Sequence, residues 1–245
     1  HQIGSDSGFL ASTVLLNDPN ALDAPRLLLM PAERADVIID FSQYAGQELV
    51  LHNNQLPDDI DGVVPLYQLM LFRVGNRVTE PDLSSIPSQI REIPRINPAS
   101  ATKVRRITFE SMDMGGMPML THNGKMWHDP VEDFVTLGST EVWELVNTLP
   151  DAHPFHVHLV DFQVIDRTPY DVNHFLKHGA LRFTANPISP LANEMGWKDT
   201  VRVPPGQVTR IVMKFGPYLG HYVYHCHILE HEDMGMMRNF RIQPR

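Results

Sequence analysis

The chain has a single cysteine among its 245 residues, which excludes an internal disulfide and leaves a metal ligand or a buried thiol. Positive charge is also scarce. With 20 basic against 29 acidic side chains and a net charge of −9, the chain lacks the basic surface that nucleic-acid phosphates demand. No stretch approaches the run of about 20 apolar residues that crosses a bilayer as a helix, so neither nucleic acid nor a membrane is expected as a partner. The sequence opens without a methionine or a signal-peptide pattern. HQIGSDSGFL reads instead as the end of one strand, a turn and the start of the next. The expectation is that His1 follows a cut within a longer polypeptide and that targeting information is missing rather than negative.

Proline and histidine are plentiful, at 20 and 13 residues. Short runs rich in Val, Ile and Leu, punctuated by Pro, Gly, Asn and Asp, predict an all-β protein. Over residues 1–75 the expected strands are Ser12–Leu16, Arg26–Met30, Ala35–Phe41, Glu48–Asn53 and Tyr67–Val74, with Pro57–Gly62 (PDDIDG) a solvated loop and His52 structural or at the surface. Residues 76–100 lose all periodicity and are broken by prolines, which suits an extended inter-domain linker. A second domain occupies 101–245. Its expected strands are Lys103–Glu110, Met119–His122, Thr140–Asn147, Phe155–Asp166, Thr200–Val203, Val208–Phe215 and His221–His227. In VTRIVMKF the alternation places Ile211, Met213 and Phe215 on one face, opposite Arg210 and Lys214. Strands at this spacing imply a Greek-key sandwich or barrel.

Seven of the histidines and the cysteine fall in two short windows, DAHPFHVHL (Asp151–Leu159) and HYVYHCHILEHEDMGMM (His221–Met237). Successive strand side chains point to opposite faces, so Cys226 faces one side while His225 and His227 face the other. His156 and His158 likewise share a face. A thiolate, imidazoles and a thioether form the ligand set of a blue-copper electron-transfer site. Zinc also accepts Cys and His, but a zinc site leaves Met236 and several histidines without a task. The donors divide better into two copper sites. One comprises His153, Cys226 and His231 with Met236 as weak axial ligand, and the other the imidazoles of His156, His158, His225 and His227. Methionines 112, 114, 117 and 119 in SMDMGGMPML could serve Cu(I), although gap-filling in a flexible loop is the reading preferred here. His122 and His128 flank an Asn-Gly turn and are expected to be structural.

HPFHVH and HCHILEHEDMGMM resemble the third and fourth copper motifs of the multicopper oxidases, a family that includes laccases, bilirubin oxidases and cuprous oxidases. LLLMPAERADVIIDF, NGKMWHDP, GWKDTVRV and FGPYLGHYVYHCHILEHEDMGMMR are similar to bacterial laccases of the spore-coat type. The resemblance implies cupredoxin-like Greek-key β-sandwich domains, with residues 1–75 the latter part of the second of three and 101–245 the complete third. It implies a type 1 copper on His153, Cys226, His231 and Met236, a type 2 copper on His156, and a type 3 pair on His158, His225 and His227. Glu232 matches an acid near the oxygen-reducing site. The departure is that the family's trinuclear cluster takes eight histidines, and the first two H-x-H motifs have no counterpart here. The implied partners are therefore an N-terminal segment of the same polypeptide carrying two H-x-H motifs, a small-molecule electron donor such as a phenol, and O2. Cuprous oxidation, or blue-copper electron carriage without oxygen chemistry, are the alternative functions. The compartments suggested are the cell envelope, the spore coat or the extracellular space.

Overall fold

The structure, a computed structural model, describes residues 1–18, 25–53, 66–78 and 80–245. The loop expected over Pro57–Gly62 lies outside the described residues. The first part holds strands β1 (Gln2–Ser5), β2 (Gly8–Val14) and β3 (Ala35–Val37), paired in the order β2-β1-β3, and a separate hairpin of β4 (Glu48–His52) and β5 (Gln68–Arg73). The strand expected at Arg26–Met30 does not form. Its leucines Leu27, Leu28 and Leu29 stay exposed, with no neighbouring strand among the described residues to pair with. Residues 80–97 form no strand. They are pinned at intervals instead, by Ile90 N–H to Ala11 O at 2.8 Å and Ile96 N–H to Gln163 Oε1 at 2.9 Å.

The rest is a two-sheet sandwich. Its strands are β6 (Lys103–Asp113), β7 (Pro118–His122), β8 (Asp133–Thr136), β9 (Thr140–Asn147), β10 (His153–Val157), β11 (Phe162–Pro169), β12 (Thr200–Val203), β13 (Gln207–Lys214), β14 (Gly220–Cys226) and β15 (Met237–Gln243). Two short helices, α1 (Val172–His178) and α2 (Leu229–Asp233), join them. One sheet runs β12-β10-β14-β15-β8 and the other β11-β13-β9-β6-β7. Ile107, Phe109, Trp143, Phe155, Ile211, Met213, Phe215, Tyr224 and Phe240 fill the space between them. Trp143 alone meets Phe155, Phe215, Tyr224 and Phe240 with ring centroids 5.4–6.2 Å apart. As the alternation predicts, Ile211, Met213 and Phe215 are fully buried, Lys214 is exposed, and Arg210 turns out to pair with Asp166.

The single strand expected over Phe155–Asp166 is two. The backbone turns at Leu159 (φ 76°) and carries β10 into one sheet and β11 into the other. The apolar alternation slips by one residue here, from Phe155 and Val157 to Val160, Phe162 and Val164, and reading the stretch as one strand overlooks that slip. The N-terminal strands dock on the segment before β12 through a buried charge cluster, in which Lys198 Nζ lies 2.9 Å from Asp6 Oδ2 and 3.2 Å from Glu33 Oε1. That docking also brings Arg34 onto Asp199.

Candidate metal centres

β10 and β14 are antiparallel neighbours, with Phe155 opposite Cys226 and His156 opposite His225. Directly opposed residues share a face, so each strand serves both sides of its sheet. His153 and Cys226 point into the core, and His156 and His225 point outward. The strand pairing, rather than either motif alone, creates two separate donor sets.

In the inner set, α2 turns the chain back so that His231 meets the strand ends. Cys226 Sγ lies 3.6 Å from His153 Nδ1 and 3.7 Å from His231 Nδ1, and the two nitrogens are 3.2 Å apart. An ion at the centre of such a triangle, with N at about 2.0 Å and S at about 2.3 Å, needs edges of about 3.5 and 3.7 Å. The observed triangle fits a metal ion far better than mutual hydrogen bonds among three converging donors. His153 Nε2 is buried with no partner, and burial pushes the imidazole's pKa down to about 3, with His231 adding to the effect. Burial also pushes the Cys226 thiol up to about 12. Metal loading must therefore displace a proton from sulfur.

Met236 is fully buried in the same core cluster as Cys226, whereas Met234 and Met237 are half-buried. The Cys226 N–H donates to Met236 O at 3.0 Å and the Met236 N–H to His231 O at 3.0 Å. These bonds tie Met236 to two of the three donors. Among the three methionines of this segment, Met236 alone combines full burial with that tether. If it supplies the weak axial thioether, Met236→Leu should raise the reduction potential of the copper-loaded site while keeping its colour. A shift on Met237→Leu, with none on Met236→Leu, would overturn this assignment.

In the outer set, His156 Nδ1 donates to Asp199 O at 2.9 Å and lies 3.0 Å from Thr200 Oγ1. A carbonyl only accepts, so the proton sits on Nδ1 and Nε2 is free to bind metal. His225 Nδ1 likewise faces Cys226 O at 3.0 Å and Glu232 Oε2 at 3.1 Å. Its Nε2 lone pair then aims at His158 Nε2, 3.3 Å away. His156, His158 and His225 form the compact group, and the His227 ring is 5.3 Å from His225 and 5.8 Å from His156. His158 and His227 are exposed, so this set opens to the outside of the sandwich.

Asp199, Thr200 and Arg34 are neighbours of the outer donor set that motif reading missed. Arg34 grips Asp199 with two nitrogens, each 2.7 Å from a carboxylate oxygen. Burial raises the Asp199 pKa, but hydrogen bonds from His156, Arg34 and Thr200 outweigh it and hold the carboxyl well below the usual range. Asp199 lies in GWKDTVRV, yet a lone carboxylate carries no spacing signal of its own.

His122 is a core residue. Its ring packs against Phe109 (4.7 Å), Tyr224 (5.5 Å) and Phe155 (5.7 Å), and burial pushes its pKa down to about 3, with His153 and His225 adding to the shift. An unfolded histidine titrates near 6.5. Below that pH the unfolded chain takes a proton that the folded one refuses, so stability falls as pH falls toward 3. The slope is about 1.4 kcal/mol per pH unit for this one group. Urea unfolding of the metal-free chain at pH 6.5 and 4.5 should show His122→Leu losing about 2–3 kcal/mol less than the parent. Equal losses would mean that His122 is protonated in the fold.

Comparison with known proteins agrees with this geometry. The multicopper oxidase family matches residues 96–245. The laccase of Bacillus subtilis (strain 168) is 40% identical over 97% of this chain and 45% of its own length. A laccase crystal structure from Pediococcus acidilactici is 35% identical, with a TM-score of 0.70 over 99% of this chain and 44% of that one. The McoA multicopper oxidase of Aquifex aeolicus is 30% identical, with a TM-score of 0.72 over 99% and 49%. The chain thus spans about half the length of these relatives. Copper, the metal in the family's name, suits both donor sets. The family match, carried by the sandwich whose neighbouring strands hold these donors, makes this chain a member of the multicopper oxidase family.

Proposed function

We propose that this chain is the C-terminal portion of a laccase-like multicopper oxidase, acting on phenolic or similar donors and on O2. The observation that carries the reading is the strand position of Cys226. Its sulfur belongs to the inner donor set, while its two sequence neighbours, His225 and His227, belong to the outer one, with His225 Nδ1 held on the Cys226 carbonyl at 3.0 Å. A few covalent bonds thereby connect a site for one-electron donors to a site for oxygen. In this reading His153, Cys226, His231 and Met236 hold the type 1 copper, His156 a type 2 copper, and His158, His225 and His227 a type 3 pair. Bound copper supplies the one-electron chemistry between donor and O2.

The protein's own part is to place donors and protons. Asp199 and Thr200 fix the tautomer of His156, and the Cys226 carbonyl fixes that of His225. Glu232 is half-buried, with Oε2 3.1 Å from His225 Nδ1, so it can hold a proton beside the outer set and pass it inward. Forming water from O2 consumes protons, and a positioned acid contributes about 10²–10⁴-fold to such transfers. In the complete enzyme, with the segment that supplies the remaining histidines, Glu232→Gln should slow oxygen consumption about 100-fold while leaving anaerobic bleaching of the blue site by a phenol nearly intact. Unchanged turnover would make Glu232 a bystander.

A second reading, cuprous oxidation, is favoured by one feature. The hairpin between β6 and β7 pairs Met112 with Met119 and exposes Met114 (49%) and Met117 (66%) at its tip, where thioethers can meet Cu(I). Oxygen uptake by the copper-loaded protein together with the segment that supplies the remaining histidines, driven in parallel by a phenol and by Cu(I), separates the readings. A rate with Cu(I) that collapses on Met114→Leu with Met117→Leu, with no phenol oxidation at all, would favour the cuprous oxidase. The blue-copper carrier predicts no uptake with either donor.

A further inference from the structure

We propose that His174 and His178 form a separate surface metal site, a two-imidazole clamp for exchangeable Cu(II). They stand four residues apart on α1, so one helical turn brings both onto the same face. Their ring centroids are 4.6 Å apart. Among the described residues neither ring makes a hydrogen bond or ion pair; His178 is exposed and His174 half-buried. The aqueous ion therefore reaches both rings without any rearrangement of the core.

The helix is short but locked at both ends. The Asp171 side chain accepts the His174 N–H at 2.8 Å, and Gly179, at φ 67°, donates its N–H to Phe175 O at 2.7 Å. Phe175 is buried edge-on against Tyr170, whose hydroxyl donates to Asn147 O at 2.7 Å. The backbone that carries the two imidazoles is thus fixed to the sandwich before any ion arrives, which lowers the ordering cost of binding. The charges facing the site are mixed. Lys177 opposes a cation, Asp171 is engaged by Arg182, and the carbonyl end of the helix, where His178 sits, favours one. Two neutral imidazoles suit first-row divalent ions, and affinity peaks at Cu(II). With no thiolate and with the remaining positions open to water, such an ion exchanges readily, unlike one held by Cys226 in the core.

The test uses the copper-loaded holoprotein, first cleared of loosely held metal with EDTA, then titrated with Cu(II) and followed by calorimetry and electron paramagnetic resonance. The expected result is one further equivalent of Cu(II) per chain, with a two-nitrogen signature, removed again by EDTA. The double variant His174→Gln, His178→Gln should lose that equivalent, and each single variant should bind it at least about tenfold more weakly. Glutamine keeps helix propensity, so an unchanged melting curve and unchanged basal turnover check the fold. An undiminished extra equivalent in the double variant would place the binding at other exposed histidines (His158 and His227 of the outer set, or His1, His52, His128 or His221) and overturn the proposal. So would the absence of any extra equivalent in the parent.

Discussion

Replacing Cys226 with serine should abolish the blue absorption of the copper-loaded protein and reduce donor oxidation to background. The thiolate is the only soft anionic donor in the chain. A serine hydroxyl in the same buried position stays protonated, so copper there would lack the bond to sulfur that gives the colour. The two imidazoles would remain 3.2 Å apart, and residual copper binding is compatible with this outcome. The two centres share one strand, so the variant should still hold copper at the outer set when that set is complete. Loss of the blue signal, with an unchanged melting curve for the metal-free protein, is the expected pattern. Blue colour surviving in Cys226→Ser would move the type 1 site elsewhere and remove the basis of the proposed function.

The second large effect concerns completion of the outer set. His156, His158 and His225 converge from one side only, His158 and His227 are exposed, and the face they occupy is the outer face of a sheet. Val37, Ile38, Ile39, Leu69, Met70 and Leu71 in the first part of the chain are exposed as well. We expect the isolated 27.8 kDa chain to load copper on its inner set and to consume no oxygen. Oxygen consumption should appear only with a segment that supplies two H-x-H pairs from the opposite side, as the relatives' greater length allows. Denaturing mass spectrometry and copper per mole of native assembly, measured on the same sample, check this. Four-electron oxygen turnover by the isolated chain would refute it. A single blue copper that stays inert to oxygen after the segment is added would favour the carrier.

Much of this protein was legible in the order of its residues. Short runs rich in Val and Thr between turn residues placed β9 and β12 at their exact bounds and β6, β13 and β14 within a few residues, and in β13 the period of two survives as well, with Ile211, Met213 and Phe215 on the core. The split of Cys226 from its flanking histidines needed only the same rule. β8 and β15 were not foreseen. β15 begins inside the metal motif at Met237, where the ligand pattern masks the strand pattern, and β8 is four residues long and pairs in parallel with β15. α1 was missed too, since seven residues hold too few turns to show a helical period.

Only the tertiary structure decided how the donors meet. Sequence spacing left the direction of His153 open, because a proline separates it from Phe155 and His156. The antiparallel register of β10 against β14 puts it beside Cys226 rather than beside His156. Burial and the backbone ties to His231 and Cys226 set Met236 apart from Met234 and Met237. Asp199 reaches His156 because β12 lies on the far side of β10, and Arg34 holds Asp199 because β1 and β3 dock on the segment before β12. The sequence by itself determined which residue types were present for copper and which faces they took on their own strands, since both follow from composition and a local period. Which of them share an ion, and which neighbours orient them, depends on contacts between residues tens to hundreds of positions apart, and no local pattern encodes those.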